Sequence, residues 1–427
     1  MILKLYAIFT VILSPFIDFY LLTRKWRGKE DRARFKERFG HSTLKRPEGK
    51  IIWVQSVSVG ESNSALPLIE KLITKYDKKI TILITTTTIT SAKIVEKKIA
   101  GNPNIIHQYS PVDKYFVVKR FLNFWKPEAF IMIESEIWPN MISLAHKYCK
   151  KVMIVNAKMS ERSFGRWKKM TNLKESIFDS INICYPQSED DQYRFINLGI
   201  QNTLFLGNLK FDIPPLKVNS EYLGELKKSI GNRPMVMFAS VHKQEMGILF
   251  NIFKSLKEKN KDVLFIMALR HATSVDEFSK VFNSYNVAKK SANEMPKNNT
   301  EIYVYDEMGE MGTLFELSKI VLMCGSLVDK IGGHTPIEPA KHNCAILTGP
   351  YIFNSKSLFN ELTKNNACFI AKSKDFQKEL IDEINKLLND KSLVDEMVKN
   401  AKYCVNRFGN IVDNLANNIY SNIENKF

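Results

Sequence analysis

Apolar residues recur along this chain in short continuous runs. From residue 50 onward, helix-length amphipathic stretches separate these runs. Continuous aliphatic runs are typical of parallel strands that are buried on both faces. The pattern predicts two successive α/β series, with strands Ile51–Gln55, Ile80–Thr85, Ala129–Ile133, Lys151–Asn156, Ile181–Tyr185 and Thr203–Leu206 in the first, and Met235–Ser240, Val263–Leu269, Glu301–Tyr305, Ile320–Cys324, Ala345–Leu347 and Cys368–Ile370 in the second.

A proline-bearing break separates the two series. The segment Gly207 to Asp212 leads into Pro214-Pro215, and a polar helical stretch precedes the second series. Two such series predict two doubly wound, Rossmann-like domains that face a cleft, with ligands at the carboxyl ends of the strands. The predicted boundaries are a first domain at 50–212, a linker at 213–232, a second domain at 233–404, and a C-terminal helix at 405–427 that packs back on the first domain.

The N-terminal segment, residues 1–23, is almost wholly apolar and predicts a membrane-associated helix. Its length approaches the roughly 20 residues that cross a bilayer, but Pro15 and Asp18 leave open whether it spans the membrane or lies along it. The segment 24–49 then begins with a basic cluster: Arg24, Lys25, Arg27, Lys29, Arg32, Arg34, Lys36 and Arg38. Such a cluster is typical of the cytoplasmic face, where anionic lipid headgroups attract it.

Charge and cysteine content narrow the classes of partner. The net charge of +17 over 427 residues favours nucleic acid, an acidic membrane or a phosphorylated ligand. Six cysteines without ligand spacing indicate reduced core residues, with neither a zinc site nor a disulfide framework. The chain lacks the basic and aromatic platforms of nucleic-acid-binding proteins, so that alternative rests on charge alone.

Candidate chemical groups follow the strands of the first series. Glu61 comes after a small-residue turn, and Glu134 and Glu136 stand beside Trp138 after the third strand. Paired acids suit sugar binding or base catalysis on a hydroxyl, although each acid could equally be an ordinary residue of a first helical turn. After the fourth strand come residues that could meet phosphates on an acceptor, namely Lys158, Ser160 and Arg162.

The second series carries side chains that donate hydrogen bonds or bear positive charge, and turns that begin with glycine. Ser240 and His242 follow its first strand, and Arg270 and His271 follow its second. These donors fit a phosphate leaving group. Two further turns combine glycines with a predicted helix start. At such a turn, backbone N–H groups can approach an anion and a carboxylate can hold ribose hydroxyls. One turn contains Met308, Gly309 and Glu310, and the other contains Gly333 and Glu338.

Together these motifs resemble the bacterial 3-deoxy-D-manno-octulosonic acid (Kdo) transferases of lipopolysaccharide assembly, which are glycosyltransferases of the GT-B fold. The matching motifs, in order, are Val57-Ser58-Val59-Gly60-Glu61, Thr85-Thr86-Thr87-Thr88, Glu134-Ser135-Glu136-Ile137-Trp138-Pro139-Asn140, Asn156-Ala157-Lys158-Met159-Ser160-Glu161-Arg162, Gly207-Asn208-Leu209-Lys210-Phe211-Asp212, Ser240-Val241-His242, Arg270-His271, Met308-Gly309-Glu310 and Gly332-Gly333-His334. The chain departs from the family pattern at Gln55, Leu269 and Thr335, where His, Pro and Asn are usual.

The resemblance implies an inverting transfer of Kdo from CMP-Kdo to a lipid A precursor (lipid IVA) at the cytoplasmic face of the bacterial inner membrane. It implies neither a metal ion nor a cofactor, and no nucleic-acid partner. Glu61 matches the general base. Glu134, Glu136, Lys158, Ser160 and Arg162 match the acceptor side, and Ser240, His242, Arg270, His271, Met308, Gly309, Glu310, Gly333 and Glu338 match the CMP-Kdo side.

Two alternatives accompany this expectation. One is a GT-B transferase or epimerase that uses a UDP-linked sugar, because a glycine-rich loop and a ribose-holding carboxylate serve many nucleotides. The other is a membrane-attached protein that binds a nucleotide or nucleic acid without catalysis. The motifs are also shared by family members that add different numbers of Kdo residues.

Overall fold

The computed structural model describes residues 2–407 and 409–424 and divides the chain into two compact units. Unit 1 comprises Met1–Ile213 together with Asn410–Phe427, and unit 2 comprises Pro214–Gly409. The chain therefore crosses from one unit to the other twice.

A six-stranded parallel sheet forms the centre of unit 1, in the order β3-β2-β1-β4-β5-β6. Its strands are β1 (Lys50–Gln55), β2 (Ile80–Thr86), β3 (Ile105–Tyr109), β4 (Ala129–Ile133), β5 (Lys151–Ala157) and β6 (Ile183–Pro186). Its helices are α1 (Ile2–Ile12), α2 (Ser14–Trp26), α3 (Val59–Lys75), α4 (Ile89–Ile99), α5 (Tyr115–Trp125), α6 (Pro139–Tyr148), α7 (Glu161–Lys169), α8 (Thr171–Phe178), α9 (Glu189–Asn197) and the last helix of the chain, α18 (Ile411–Glu424). Short 3-10 turns lie at Phe35–Phe39 and Leu209–Phe211.

Unit 2 repeats this plan with seven parallel strands in the order β13-β12-β11-β7-β8-β10-β9. They are β7 (Met235–Val241), β8 (Leu264–Leu269), β9 (Val287–Lys289), β10 (Ile302–Tyr305), β11 (Ile320–Met323), β12 (Ala345–Thr348) and β13 (Cys368–Ile370). The helices are α10 (Ser220–Ile230), α11 (Met246–Lys259), α12 (Val275–Val281), α13 (Met311–Leu317), α14 (Ile337–Lys341), α15 (Lys356–Lys364), α16 (Phe376–Asn389) and α17 (Lys391–Arg407), with 3-10 turns at Lys243–Glu245, Ala272–Ser274 and Lys290–Ala292.

Both sheets are buried on their two faces, which explains the continuous apolar runs. In unit 1, Trp53 of β1 stacks on Phe130 of β4 with ring centroids 3.9 Å apart. Its indole N–H donates to the Thr85 hydroxyl oxygen (2.9 Å), so its one polar atom is satisfied inside the core. In unit 2, Phe253 of α11 meets Phe265 of β8 edge to face at 4.8 Å. The prediction of two doubly wound α/β domains is confirmed.

Two details of the predicted strand set were wrong. Strands β3 and β9 were missed, because β3 carries His107 and Gln108 in its apolar run and β9 is only three residues long. The predicted strand Thr203–Leu206 is a single bridge from Thr203 to Cys184. The predicted linker at 213–232 contains helix α10, where a polar helical stretch was expected, and this helix belongs to unit 2.

The two N-terminal helices lie against unit 1. No single helix in the described ranges is long and apolar enough to cross a membrane; α1 and α2 meet that test only as a pair, bent by 57°. Three side-chain contacts tie them to the body of unit 1: Tyr6 to Asp113 (3.1 Å), Asn140 to Thr10 (3.2 Å) and Lys114 to Asp18 (2.7 Å).

The basic cluster is only partly available to solvent. Arg24 and Arg38 pair with the buried carboxylate of Glu30 at 2.6 and 3.5 Å. Arg34 makes a two-pronged pair with the fully buried Glu37, at 3.0 Å for each contact. These three arginines therefore pair with carboxylates of their own segment, and Arg34 also donates to the His107 carbonyl oxygen of β3 (2.8 Å). The position of the cluster at the cytoplasmic face stays a prediction.

Helix α18 returns to unit 1 and packs on α3. Tyr420 meets Tyr76 edge to face at 4.7 Å, and the Asp413 and Glu424 carboxylates pair with Lys71 (2.7 Å) and Lys50 (2.8 Å). Its apolar side, which includes Ile419, is buried.

We expect Ile419→Ala to destabilise unit 1. Ile419 is fully buried, so its loss leaves a cavity that costs about 2–5 kcal/mol of unfolding free energy. Urea unfolding followed by tryptophan fluorescence measures this effect in unit 1 alone, because all five tryptophans lie there. The matched control is Asn417→Ala on the exposed side of α18, which should change the free energy by less than about 0.5 kcal/mol. Equal midpoints for the two variants would contradict this packing.

Candidate active site

In unit 1, Glu61 lies in the first turn of α3, where the loop after β1 holds its carboxylate. The Val57 N–H donates to Glu61 Oε2 (2.6 Å), and the Ser58 hydroxyl donates to Oε1 (3.0 Å). Ser58 is also the N-cap, since its hydroxyl oxygen accepts from the Glu61 N–H (3.3 Å). Ser58 thus caps α3, while the Glu61 side chain binds back to the loop at the Val57 N–H and the Ser58 hydroxyl. The capping role and a catalytic role are compatible, because capping fixes where the carboxylate points.

The environment of Glu61 makes its carboxylate unusually basic. Its side chain is buried, with 8% of the residue exposed. The pKa of Glu61 is raised to about 7: burial raises it most, the negative charges of Glu134 and Glu136 add to the increase, and the hydrogen bonds from Val57 and Ser58 oppose it. A carboxylate with a pKa near the working pH suits general base catalysis.

Glu134 follows β4 in a left-handed conformation with φ 62°. Its backbone N–H donates to the Val155 carbonyl oxygen (3.0 Å), which holds this loop on β5. The Lys210 ammonium lies 3.0 Å from Glu134 Oε1. Lys210 stands in the matching motif Gly207 to Asp212 and had no predicted role.

Glu136 and Lys158 complete the charged group of unit 1. The Trp138 indole N–H donates to Glu136 Oε2 (2.5 Å), and burial raises the pKa of Glu136. Burial lowers the pKa of Lys158, with Glu134 opposing that shift and Lys210 adding to it. The structure therefore brings three predicted residues, Glu134, Glu136 and Lys158, into electrostatic contact.

Two other predicted acceptor residues have structural explanations. Ser160 is the N-cap of α7, and its hydroxyl oxygen accepts from the Ser163 N–H (3.2 Å). Arg162 is exposed on the same helix. A role in acceptor binding stays a prediction for both.

In unit 2, a bulge at the end of β7 turns the chain toward the candidate donor residues. The pairing of β7 with β8 shifts between Ala239 and Val241, and Ser240 at this point has φ 60°. The Arg270 N–H donates to the Val241 carbonyl oxygen (2.9 Å). The bulge thereby joins the loop of His242 to the loop of Arg270.

His242 and His334 form a stacked, hydrogen-bonded pair. Their Nε2 atoms are 2.8 Å apart and their ring planes differ by 11°, with His271 edge-on to His242 at 5.9 Å. The pKa values of His242 and His334 are both lowered to about 4, chiefly by burial, with the charges of His271 and Arg270 contributing to the decrease. Both rings are therefore neutral at pH 7, where one donates to the other. His334 lies in the predicted stretch but was not assigned a role.

The buried carboxylate of Glu245 positions the loop after β11. It accepts from the backbone N–H groups of Gly325 (2.8 Å), Leu327 (3.0 Å) and His242 (3.2 Å). Gly325 has φ +75°, and a Cβ there would lie 2.9 Å from the His334 ring. The close approach of this loop to the histidine pair thus requires glycine.

The stretch with Gly333 and Glu338 is a glycine loop that leads into the short helix α14. The Gly333 N–H donates back to the Gly325 carbonyl oxygen (2.8 Å), and α14 has five residues, with Pro336 at its N-cap and Glu338 in its first turn. The predicted helix start is therefore present, and anion binding there stays a prediction. Glu338 lies close enough to Arg270 for that charge to lower its pKa, against a larger increase from burial.

The turn Met308-Gly309-Glu310 stands apart from these contacts. Met308 is 77% exposed, and the Thr313 hydroxyl donates to Glu310 Oε2 (2.6 Å). Its part in donor binding stays a prediction.

The six cysteines are free thiols, and five of them are buried. Within residues 2–407 and 409–424, no group of three or more His, Cys, Asp or Glu side chains is arranged to hold a metal ion.

Comparison with known proteins shows the family to which the chain is similar. Residues 33–213 match the family described as 3-Deoxy-D-manno-octulosonic-acid transferase (kdotransferase). The chain is 34% identical over 390 residues to 3-deoxy-D-manno-octulosonic acid transferase of Rickettsia bellii, covering 91% of each chain, and 29% identical over 370 residues to that of Haemophilus influenzae, covering 84% of each.

A solved glycosyltransferase structure from Rickettsia africae is similar in fold. The TM-score is 0.59 at 13% identity, over 89% of this chain and 100% of that one. A putative UDP-N-acetylglucosamine 2-epimerase from Listeria monocytogenes gives a TM-score of 0.58 at 12% identity, over 88% and 97% of the two chains. The predicted GT-B fold class is confirmed. With a relative that is 34% identical over nearly the whole length, the chain belongs to the family of Kdo transferases, which are glycosyltransferases.

Proposed function

We propose that this protein transfers Kdo from CMP-Kdo to a lipid A precursor, lipid IVA, with inversion at the anomeric carbon. The family supports Kdo transfer in lipopolysaccharide biosynthesis. The single observation that carries the chemical assignment is the buried Glu61 carboxylate, whose pKa is raised to about 7. At neutral pH a large fraction of it is ionised and ready to accept a proton.

Glu61 acts as the general base on an acceptor hydroxyl. It removes the proton while the hydroxyl oxygen bonds to the anomeric carbon of Kdo, and the bond from that carbon to the CMP phosphate oxygen breaks with its electron pair. Because Val57 and Ser58 hold both carboxylate oxygens, the base is oriented before the substrate arrives. A base in this position contributes typically 10²–10⁴-fold to the rate.

Unit 2 binds CMP and stabilises the departing phosphate. Arg270 supplies the positive charge, since His242 and His334 are neutral at pH 7. A neutral imidazole can still donate a hydrogen bond, so these rings orient the phosphate without neutralising it. Glu338, beside Arg270, is the candidate to accept from ribose hydroxyls, as the resemblance implies.

We expect Glu61→Gln and Arg270→Ala to fail in different ways. Glu61→Gln should lower turnover by about 10²–10⁴-fold and leave CMP affinity unchanged, because it removes the base from unit 1. Arg270→Ala should weaken CMP binding by about 10–100-fold, because a charged hydrogen bond is lost. Mass spectrometry of the product formed from CMP-Kdo and lipid IVA measures turnover, and calorimetry measures CMP binding by the full chain.

The control for charge is Lys254→Ala, which removes an exposed positive charge from α11 of unit 2 and should change neither quantity. Near-normal turnover of Glu61→Gln would show that Glu61 is not the base. Tighter binding of UDP than of CMP, with no Kdo-containing product, would favour a transferase or epimerase that uses a UDP-linked sugar.

We also propose that α1 and α2 lie in the cytoplasmic leaflet of the inner membrane, parallel to its surface. One side of the pair is tied to unit 1 through Tyr6, Thr10 and Asp18. The other side exposes large apolar side chains, which are Leu5, Ile8, Phe9, Val11, Ile12, Phe16, Phe19, Tyr20, Leu22 and Trp26. An exposed apolar face of this size fits insertion into the interfacial region of a bilayer.

Polar contacts and charge support the in-plane orientation. Both helices of the bent pair are held to unit 1 by hydrogen bonds. They cannot leave unit 1 to span a bilayer unless those hydrogen bonds break. The basic residues of segment 24–49 that remain exposed, Arg27, Lys29, Arg32 and Lys36, suit contact with anionic headgroups. A lipid acceptor would then lie in the same membrane as the enzyme.

We expect the double variant Phe16→Glu, Phe19→Glu to lose membrane binding. These rings are 72% and 61% exposed, and their combined insertion is worth about 3 kcal/mol or more, or roughly 100-fold in affinity. Flotation with vesicles of phosphatidylethanolamine and phosphatidylglycerol measures the loss. Tyr193→Glu is the control, an equally exposed aromatic residue on α9 of the same unit (65%). Vesicle binding that is equal in all three proteins would contradict the proposal.

A further inference from the structure

Asn156 occupies an unusual position at the end of β5. It is buried (1% exposed) and has φ 55°, at the bulge where the pairing of β5 with β6 shifts between Val155 and Ala157. Asparagine is one of the few residues other than glycine that enter this left-handed region readily. Its side chain therefore points away from the regular pleat of the strand.

The Asn156 carboxamide holds the turn that carries Lys210. Its Oδ1 accepts from the Leu209 N–H (3.0 Å). Asn208 secures the same turn from the other side, because its Oδ1 accepts from the Lys210 N–H (3.0 Å) and its Nδ2 donates to Gln187 Oε1 (3.0 Å). Buried amide side chains thus fix the two backbone N–H groups that precede the Lys210 Cα, and the next N–H, that of Phe211, donates to the Asn208 carbonyl oxygen (2.9 Å).

This turn delivers the Lys210 ammonium to Glu134. The ion pair is 3.0 Å long, and its two side chains are 23% and 13% exposed. Partial burial makes the pair stronger than a surface pair, and its geometry depends on the turn. Glu134 in turn is one of the two carboxylates whose negative charge acts on Glu61. Lys210 therefore limits the repulsion that Glu61 experiences when it ionises.

The other charged groups around Glu61 either act on the same carboxylates or pair with other residues. Glu136 adds repulsion, and Lys158 lies on the same side as Glu134 and Lys210. The helices packed on α3 direct their charges to other partners: Lys98 to Asn63, Glu96 to Arg34, Asp413 to Lys71 and Glu424 to Lys50. Lys210 and Lys158 are thus the positive charges near Glu134, and Lys210 forms an ion pair with it.

A free polar atom also sets Asn156 apart from a residue that only stabilises the fold. Its Nδ2 is buried and has no acceptor in the described part of the chain. A buried donor without a partner costs folding free energy. The Asn156 carboxamide therefore offsets part of this cost only through its Oδ1 contact with the Leu209 N–H.

We propose that Asn156 is a positioning residue for the transfer reaction: it holds the 208–211 turn so that Lys210 offsets the charge of Glu134, which keeps Glu61 usable as a base near neutral pH. The proposal rests on the function proposed above for Glu61. Asn156 itself touches no reacting atom, and acts through Lys210 and Glu134.

The test is the pH dependence of kcat/KM in Asn156→Ala. Without the anchored turn, the Glu134 charge is less well offset, so the pKa of Glu61 rises and the acid limb of the profile moves to higher pH. We expect a shift of about 0.5 to 1 pH unit, which lowers kcat/KM about three- to tenfold below the limb. Lys210→Met should shift the limb in the same direction. The double variant should add little, because both changes remove one interaction.

Asn182→Ala is the matched control. Asn182 Oδ1 accepts from the Val152 N–H (2.7 Å), so it is the same kind of contact at the opposite end of the same strand pair. This variant should lose stability without moving the acid limb. An Asn156→Ala enzyme with reduced kcat and an unmoved limb, or an equal shift in Asn182→Ala, would overturn the proposal.

A measurement without turnover separates this proposal from the proposed function. Carbon-13 NMR titration of labelled glutamates, with the Glu61 signal assigned from its absence in Glu61→Gln, reports the pKa of Glu61 directly. If the wild-type protein formed no Kdo product, the proposed function would fail, while an upward shift of this signal in Asn156→Ala would still support the positioning role. An unchanged Glu61 signal would refute it even in an active enzyme.

Discussion

The candidate active site of unit 1 depends on the free-energy cost of ionising the buried Glu61 carboxylate beside the carboxylates of Glu134 and Glu136. Burial and the charges of Glu134 and Glu136 all favour the protonated form of Glu61. Hydrogen bonds from Val57 and Ser58 work in the opposite direction, and we propose that the Lys210 ammonium does the same through its ion pair with Glu134. The pKa of Glu61 lies near 7, so that about half of the carboxylate is ionised at neutral pH and is basic enough to take a proton.

Unit 2 has a similar bulge at a strand end, which there positions candidate phosphate-binding residues. A bulge with a left-handed residue ends β7 at Ser240, as Asn156 does in β5. In unit 2 the bulge leads to a neutral histidine pair and to Arg270, a concentrated positive charge suited to phosphate. The strained strand ends thus lie next to candidate functional groups in both units, where such strain is commonly found.

Local sequence patterns predicted most of the fold, because a strand buried on both faces is recorded as a continuous apolar run. They missed β3, where His107 and Gln108 interrupt the run, and β9, which is too short to stand out. Strand ends also led to Glu61, His242 and Arg270, since function in parallel sheets concentrates there.

Contacts between distant residues could not be predicted in this way. Lys210 and Glu134 are separated by many residues in sequence and meet only because β5 and the 208–211 turn are adjacent. His334 and the buried arginine pairs were missed for the same reason, since a basic residue looks alike in sequence whether it faces lipid or Glu37.

The pH dependence of kcat/KM in the wild-type enzyme tests the central claim most directly, because it reports the ionisation of the free enzyme's essential base. The account predicts an acid limb near pH 7 that disappears from the residual activity of Glu61→Gln. A limb near the ordinary value of a glutamate, about 4.3, or one that persists in Glu61→Gln, would contradict the account.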